Sequence, residues 1–377
     1  MLSNEEIESR ITEDFKYLHE NPELSYQEIN TTNKIRSELS SAGIKILPLE
    51  LKTGVVAEIG HGDKAVAIRC DIDALPVQEE TGLDYQSKNK GVMHACGHDF
   101  HTALILGAAM LLKERESELK GRVRCVFQPA EEAPGGAQKI IDSGALEGVS
   151  AIFGVHTIPL YEPGTLGIRE GATHAAVDRF KIIFHGKGTH AAHPNLGIDT
   201  LLVASNFAVA AQSIVSRNSD PFATNLVSIT RLEAGNTWNV IPETAVLEGT
   251  IRTMTKENRS MVKERLVRLA EGIASSYGAS CEFIWVFGLP PMQNDKKLSD
   301  FATDLAKSDG FKVERTPGSL GGEDFALYEE HIPGAFVQIG TGPSLPNHNP
   351  RFVCDIKALF PASRFMAHLA SEYLRRF

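Results

Sequence analysis

The sequence is short of cysteine, tryptophan and long hydrophobic runs. It has 377 residues, of which five are cysteines and two are tryptophans. The cysteines are Cys70, Cys96, Cys125, Cys281 and Cys354. An odd and widely scattered set argues against a disulfide framework. No apolar run is long enough to span a membrane, and the acidic first residues lack the apolar stretch of a signal peptide. We therefore expect a cytoplasmic protein with no membrane partner.

Positive charge is also in deficit. Lys and Arg number 38 against 48 Asp and Glu, for a formal net charge of -10. No basic cluster offsets this balance, so we do not expect nucleic acid as a partner. The remaining composition, 42% hydrophobic and 23% charged, is ordinary for a globular protein. Because 377 residues are many for one hydrophobic core, we expect two domains.

Strand-like and helix-like segments alternate in the first part of the chain. The apolar spacing predicts helices over 5–19, 27–42, 102–114 and 136–142, and strands over 54–59, 65–70, 122–127 and 151–155. This order indicates an α/β fold with a mixed, largely parallel sheet covered on both faces by helices. Ligands of such sheets bind beyond the carboxyl ends of the strands, where this sequence places Asp71, Asp73, Glu131, Glu132 and His156.

The pattern changes near residue 178. Strands are predicted over 179–185, 226–231, 244–253 and 280–286, and helices over 200–216 and 256–277. The resulting β-α-β-β-α-β order is that of a ferredoxin-like α+β unit. The chain then returns to the first domain with helices over 298–308, 323–330 and 356–375 and a strand over 335–340. We therefore predict a discontinuous domain, 1–177 and 291–377, interrupted by an inserted domain, 178–290.

The segment 91–101 is rich in metal-binding side chains. It places Cys96 and His98 two positions apart, with His94, Asp99 and His101 close by. Thiolate and imidazole bind zinc-like ions tightly, and at this spacing on a turn both can reach one centre. A structural interpretation is also open, in which Cys96 is a buried thiol and the histidines cap the following helix.

Further ligand types follow along the chain. Glu131 and Glu132 come after a strand and point in different directions, so one carboxylate can bind metal while the other acts as a base. Alternatively, they are a solvated acidic pair at the start of a helix. His156 ends an apolar strand and His348 lies in a loop, where either could be structural. With Cys96 and His98, however, the set reaches five ligands. This is too many for one tetrahedral ion with an open position and suits two ions that share a bridging ligand and a water.

A series of motifs along the chain carries a resemblance to a known family. The motifs are Leu18-His19 through Pro22-Glu23-Leu24-Ser25, Ile68–Pro76, His94–His98, Gln128–Glu132, Gly186–Ala192, Asn239–Pro242, Gly321–Phe325 and His348–Phe352. Almost the full length resembles the aminoacylase, hippurate hydrolase and auxin-conjugate amidohydrolase group of binuclear co-catalytic metallopeptidases, which share a carboxypeptidase G-like scaffold. The resemblance implies two divalent ions per chain, Zn or Mn, with Co or Ni able to act in vitro. It also implies an inserted lid domain through which two chains form a homodimer.

The resemblance assigns roles to residues of the first domain. It implies that Cys96 bridges the ions as a thiolate and that three imidazoles and one carboxylate complete the ligand set: His98, His156, His348 and Glu132. Glu131 would be the general base, and Asp73 would orient the site. Asp71 stands where related peptidases have a histidine ligand, and we leave it outside the ligand set.

Four residues are implied to contact the substrate. His190 resembles a histidine that reaches the site of a neighbouring subunit and stabilises the oxyanion. Asn239 and Arg252 resemble groups that hold the carbonyl and the carboxylate of the substrate, and Gly322 lies in a substrate-binding motif. A surface ion pair is the alternative role for Arg252. Thr189 and Asn195 depart from the family pattern, which often has glycine and histidine there.

These expectations point to a metal-dependent hydrolase of N-acyl amino acids, with acetyl or aroyl acyl groups. A dipeptidase or aminopeptidase on the same scaffold is the first alternative. A cysteine hydrolase with Cys96 as nucleophile and His98 as base is less favoured, because residues two apart on a turn seldom pair and three further ligands would have no purpose. A non-catalytic binding protein would leave Glu131 without a function.

Overall fold

The structure is a computed structural model that describes residues 2–377. The helices are α1 (Asn4–Glu20), α2 (Ile29–Ser41), α3 (His98–Glu114), α4 (Gly136–Asp142), α5 (Thr200–Ser213), α6 (Lys256–Ser276), α7 (Lys296–Ser308), α8 (Ala326–Glu329) and α9 (Leu359–Arg376). The strands are β1 (Lys45–Ile46), β2 (Val55–Gly60), β3 (Ala65–Asp71), β4 (Arg122–Gln128), β5 (Ile152–Ile158), β6 (Thr165–Ile168), β7 (Gly171–His174), β8 (Ala176–His185), β9 (Thr189–His190), β10 (Asn225–Ala234), β11 (Val240–Ile241), β12 (Thr244–Thr253), β13 (Ser280–Leu289), β14 (Met292–Asn294), β15 (Lys312–Glu314) and β16 (Gly334–Gly340).

The chain folds into two compact units. Unit 1 comprises Met1–Gly171, Gln293–Pro317 and Leu327–Phe377, and unit 2 comprises Ala172–Met292 and Gly318–Ala326. The predicted boundaries at 177/178 and 290/291 therefore lie a few residues inside unit 2. The segment Gly318–Ala326, which we had placed in the first domain, belongs to unit 2, because Ser319 exchanges backbone hydrogen bonds with Thr173 and Ala175.

Unit 1 is built on an eight-stranded sheet with the order β1-β2-β4-β3-β5-β16-β6-β15. The neighbours β4/β3, β3/β5, β5/β16 and β6/β15 run parallel, and the other three pairs run antiparallel. All seven residues of β3 are buried. Because successive side chains of a strand point to opposite faces, this strand is covered on both sides. The predicted mixed, largely parallel sheet is confirmed.

Unit 2 contains a four-stranded antiparallel sheet with the order β10-β12-β8-β13. Along the chain its elements follow as β8, α5, β10, β12, α6 and β13. Alternate residues of β8 are buried, and they form one core with apolar residues of both helices, including Phe180, Phe184, Phe207 and Leu266. The predicted ferredoxin-like order is confirmed.

Several predicted elements need correction. Helix α3 begins at His98 rather than at residue 102, so the metal-binding motif runs into its first turn. Helix α8 is only Ala326–Glu329, since Glu323 Oε1 accepts the N–H of Phe325 and forms a turn where we expected helix. Strands β6 and β15, which the sequence did not predict, extend the main sheet. Within residues 2–377, no helix is both long and apolar enough to cross a membrane.

Candidate metal centre

The predicted ligands gather where strands β3 and β5 separate. These strands pair over Ala67–Arg69 only. Beyond this point His101, from α3, lies between them: its Nδ1 is 2.6 Å from Asp71 Oδ1, and its Nε2 accepts the N–H of Thr157 at 2.8 Å. Because Nε2 is an acceptor, the ring proton is on Nδ1 and is donated to Asp71. The side chain of His101 thus joins strands that the backbone no longer pairs.

A left-handed glycine places Cys96 and His98 on either side of the start of α3. Gly97 has φ +84, and a Cβ there would lie 2.8 Å from Thr157 Oγ1. Both the dihedral and the close approach require glycine. The predicted turn is therefore the N-terminus of α3, which brings Cys96, His98 and His101 to one side of the sheet edge.

The five predicted ligands form two overlapping triads. The ligand atoms of Cys96, His98 and His156 lie within 4.8 Å of one another, and so do those of Cys96, Glu132 and His348. The Cys96 Sγ–His156 Nε2 distance is 3.4 Å, and His348 Nε2 is 3.1 Å from Glu132 Oε1. Cys96 is common to both triads, which is the position of a bridging ligand. Their role as ligands stays a prediction.

His156 lies within β5 rather than at its end. Two more residues, Thr157 and Ile158, continue the strand. The His156 ring donates from Nδ1 to the carbonyl oxygen of Thr157 at 2.8 Å. This bond fixes the tautomer and leaves the Nε2 lone pair facing Cys96, as in a histidine prepared to bind metal.

The loop of His348 is held against the Cys96 turn. The His348 N–H donates to the Ala95 carbonyl at 2.7 Å, and the Asn347 amide donates to the Cys96 carbonyl at 3.4 Å. His348 itself has φ +68, which is rare outside glycine. These contacts hold a half-exposed loop histidine next to buried residues.

Asp73 connects the ligand segments to one another. Its carboxylate accepts the N–H of Glu131 at 3.0 Å, the N–H of Glu132 at 3.1 Å and the hydroxyl of Ser25 at 2.6 Å. It also lies 3.3 Å from Nδ1 of His98. Burial opposes ionisation of Asp73, but His98 and these donors outweigh it and lower the pKa. The position fits the orienting role expected for this residue.

Asp71 is already engaged by neighbours other than a metal. Its Oδ2 accepts from Nη1 of the fully buried Arg69 at 2.7 Å, and its Oδ1 faces His101. Asp71, His98 and His101 form another group close enough to hold an ion. Both ring nitrogens of His101 are taken, however, by Asp71 and Thr157. We therefore keep Asp71 and His101 as supporting residues, a role that sequence spacing did not assign to His101.

The residues present fit a metal centre. Within residues 2–377, neither ring nitrogen of the buried His98 makes an aligned hydrogen bond. Burial opposes ionisation of the Cys96 thiol, but the positive charges that His156 and His98 carry when protonated outweigh it and hold the pKa well below its usual value. A thiolate, imidazoles and a carboxylate are the donor set of zinc-like ions.

Two of the predicted substrate residues lie together on a small ribbon of unit 2. Strands β9 and β11 pair antiparallel with His190 opposite Val240, and the Ala191 N–H donates to the Asn239 carbonyl at 3.0 Å. Nδ1 of His190 accepts the N–H of Ala192 at 3.0 Å. The proton of the neutral ring is therefore on Nε2, at an exposed edge where it can be donated.

The other two lie around Val177 in the same unit. Arg252 is opposite Val177 in the β12/β8 pairing, and a Cβ on Gly322 would come within 2.6 Å of Val177 Cγ2. The Arg252 guanidinium donates to the hydroxyl of Thr250 and the carbonyl of Ile251, both neutral groups. Burial lowers the pKa of Arg252. Neither acceptor neutralises the charge of the guanidinium, and the nearby charge of Asp178 opposes the effect of burial on its pKa.

Comparison with known proteins identifies the family. The sequence profile of peptidase family M20/M25/M40 matches residues 67–372. This chain belongs to that family. It is 50% identical over 372 residues to N-acetylcysteine deacetylase of Bacillus subtilis, and the alignment covers 98% of each chain. It is 39% identical over 371 residues to an IAA-amino acid hydrolase of Arabidopsis thaliana, covering 95% of this chain and 85% of the relative.

The fold is shared with a solved M20 structure. A dinuclear metal-binding peptidase of the M20 family from Bacillus subtilis superposes with a TM-score of 0.90 at 47% identity. The match covers 98% of this chain and 99% of the other. The suspected resemblance to co-catalytic metallopeptidases is confirmed at the level of the family and of the fold.

The buried His19 contacts the first turn of α3, which also carries His98. His19 Nδ1 lies 2.6 Å from Asp99 Oδ2, in the first turn of α3, and its Nε2 lies 3.1 Å from Glu79 Oε1. Burial alone would lower the pKa of His19, but Asp99 and Glu79 outweigh it and raise the pKa to about 10. His19 belongs to one of the family motifs, but its partners Asp99 and Glu79 lie 80 and 60 residues away and could not be predicted from local spacing.

We predict a pH-dependent contribution of His19 to stability. Because its pKa is raised in the folded state, the stabilisation is full below the ordinary histidine pKa and is lost as pH rises toward 10. The difference in free energy of unfolding between wild type and His19→Gln should therefore be larger at about pH 6 than at about pH 9.5, measured by urea denaturation. His368→Gln, at an exposed His–Asp pair, is the control and should show little difference at either pH. A His19 effect that grows with pH would contradict the prediction.

Proposed function

We propose that this M20 protein is a metal-dependent amidohydrolase that converts N-acyl amino acids to a carboxylate and a free amino acid. The observation that carries the proposal is the pair of triads joined at Cys96, with Glu131 adjacent to the triad residue Glu132. The names of two relatives, N-acetylcysteine deacetylase and IAA-amino acid hydrolase, describe substrates of this kind. Acetyl and aroyl groups are the acyl groups we expect.

A peptidase activity is the second candidate. The similar solved structure from Bacillus subtilis is described as a peptidase, and a peptide bond is also an amide next to an α-carbon. A dipeptidase or aminopeptidase would need a place for the substrate amino group. The acyl-amino-acid hydrolase is favoured because the relative with 50% identity is a deacetylase.

Two divalent ions fit the ligand set proposed here. Cys96 would bind both, His98 and His156 would complete one triad, and Glu132 and His348 the other. Zn or Mn is the expected metal, with Co or Ni able to replace it in vitro. When bound, such ions lower the pKa of a shared water and polarise the amide carbonyl.

Glu131 is the proposed general base. Its backbone N–H is held by Asp73, so the residue has a fixed position next to the triad residue Glu132. In this role its carboxylate takes a proton from the attacking water and delivers it to the leaving amine. The neighbouring Glu132 serves as ligand, which divides base and ligand between adjacent residues.

The substrate-binding residues are proposed to act as follows. The exposed Nε2–H of His190 donates to the oxyanion that forms on the carbonyl. Asn239, on the same ribbon, binds the carbonyl, and Arg252 binds the α-carboxylate of the amino acid. Gly322 leaves room for the substrate backbone. The enzyme would thus require a substrate with a free α-carboxylate next to the amide that is cleaved.

We also propose a homodimer formed through unit 2, which includes the predicted lid. Strand β10 is at the edge of its sheet and offers unpaired backbone groups to a second copy. Helix α5 exposes apolar side chains, Leu202 and Val209 among them. In such a dimer His190 could serve the site of the partner subunit, as the family resemblance implies.

The first test is the number of ions. Full-length protein loaded with excess Zn²⁺ or Mn²⁺ should hold about two ions per chain by metal analysis, since the donors divide into two triads. Cys96→Ala should lower the content toward zero because both triads lose a ligand, whereas His348→Ala should retain about one ion. Wild type that binds one ion or none after loading would exclude a binuclear centre.

The second test is the reaction itself. A panel of N-acetyl and N-benzoyl amino acids and dipeptides should show hydrolysis, and Glu131→Gln should lower turnover by at least ~100-fold because the base is lost. The metal content of Glu131→Gln should stay at the wild-type value. Glu132→Gln, the matched neighbour, should lose metal instead. Near-normal turnover of Glu131→Gln would remove it as the base, and a preference for dipeptides would favour the peptidase.

The third test concerns His190. His190→Ala should lower kcat far more than it raises KM, because an oxyanion contact strengthens in the transition state. His193→Ala is the control, an exposed histidine whose ring lies 5.8 Å from that of His190. Mixing His190→Ala chains with Glu131→Gln chains should restore part of the activity, since a mixed dimer has one site with both groups. No recovery despite demonstrated subunit exchange would exclude action on the partner's site.

A further inference from the structure

The segment that carries Glu131 and Glu132 has an unusual backbone. Strand β4 ends at Gln128, and Ala130 then adopts φ +52, in the left-handed region that residues with a Cβ rarely enter. Such a conformation persists only where the surroundings hold it in place. What holds Ala130 therefore also determines where the next two side chains point.

Three successive N–H groups of this segment are bound by two buried carboxylates. Ala130 donates to Glu28 Oε1 at 2.9 Å, Glu131 to Asp73 Oδ1 at 3.0 Å and Glu132 to Asp73 Oδ2 at 3.1 Å. Glu28 and Asp73 are both almost inaccessible to solvent. Successive N–H groups next to a left-handed residue form a concave site that attracts acceptor oxygens, and here the oxygens of Glu28 and Asp73 fill it.

The side chain of Glu28 does not cap the helix that follows it. The residue occupies the N-cap position of α2, yet its side chain makes no capping hydrogen bond. The free N–H groups of α2 are instead taken by Glu23, whose carboxylate accepts from Asn30 at 3.2 Å and Thr31 at 2.8 Å. The carboxylate of Glu28 thus points away from its own helix and toward Ala130, 102 residues along the chain.

We infer that Glu28 is a positioning residue for Glu131 and Glu132. By holding the Ala130 N–H it fixes the left-handed turn, and with Asp73 it sets the directions in which the two carboxylates point. The effect of Glu28 on turnover rests on the proposed function. Its effect on the order of the 130–132 segment is independent of that function.

Three variants test this inference on the full chain. Glu28→Met removes the acceptor at similar length, and Glu28→Gln keeps an acceptor oxygen. Thr32→Val is the matched control, since the buried Thr32 Oγ1, also on α2, accepts the N–H of Gly54 at 2.9 Å rather than an N–H of the 130–132 segment. All three are compared by amide hydrogen exchange, metal content and steady-state kinetics.

Glu28→Met should speed amide exchange at 130–132 and lower kcat by about 10- to 100-fold with little change in KM, because a base displaced by a fraction of an ångström is poorly aligned. Glu28→Gln should keep amide exchange at 130–132 and kcat close to their wild-type values. Thr32→Val should keep the exchange of this segment and kcat even where it lowers stability. Wild-type exchange and turnover in Glu28→Met would overturn the inference, as would equal losses in Glu28→Gln or Thr32→Val.

Two readouts separate this inference from the proposed function. If wild type hydrolyses none of the N-acyl amino acids, the proposed function fails, but exchange at 130–132 in Glu28→Met and Glu28→Gln still decides the role of Glu28. If Glu28→Met does not fold, wild type decides alone: the Ala130 amide must be protected from exchange, and an unprotected amide overturns the inference.

Discussion

The buried carboxylate of Asp73 makes the contacts on which the arrangement of the proposed metal centre depends. It joins the end of β3 to Ser25 in the N-terminal segment, to the N–H groups of Glu131 and Glu132 after β4, and to His98 at the start of α3. These groups come from four separate parts of the chain. A single ionised group therefore sets the distance between the helix of the proposed ligand His98 and the loop of the proposed base Glu131. The free-energy cost of burying the Asp73 carboxylate is offset because nearly every lone pair of its oxygens has a donor.

The sequence predicted the parts of this protein that depend on local pattern. Strand β12 and helix α4 have the predicted bounds, because alternating and helical apolar spacings are set by residues within a few positions of each other. The ligand candidates Cys96 and His98 were likewise visible, since their residue types and their spacing of two are local properties. The ferredoxin-like order followed from the sequence of elements rather than from any contact between them.

What the sequence did not predict depends on contacts between distant residues. His101 was noted only as a nearby histidine, and its bonds to Asp71 and Thr157 exist because β3 and β5 separate there. Glu28 lay within the predicted helix over 27–42, and nothing in that pattern assigned it a role. The placement of Gly318–Ala326 in unit 2 follows from the backbone pairing of one short stretch around Ser319. No periodicity records such pairings, because each involves one or two residues.

Backbone strain in this chain is concentrated at and near the proposed site. Within residues 2–377 the non-glycine residues with positive φ are Tyr26, Ala130 and His348. His348 is itself a predicted ligand, Ala130 precedes the predicted base, and Tyr26 lies between Ser25, which bonds to Asp73, and Glu28, which bonds to Ala130. A regular helix or strand would direct neighbouring side chains at fixed angles that do not converge on one point. Left-handed residues break that regularity, but their conformation costs free energy. It therefore persists only where other bonds compensate for that cost. The buried side chains of Glu28 and Asp73 supply those bonds around Glu131, and so the stability of the surrounding fold determines the geometry of the proposed base.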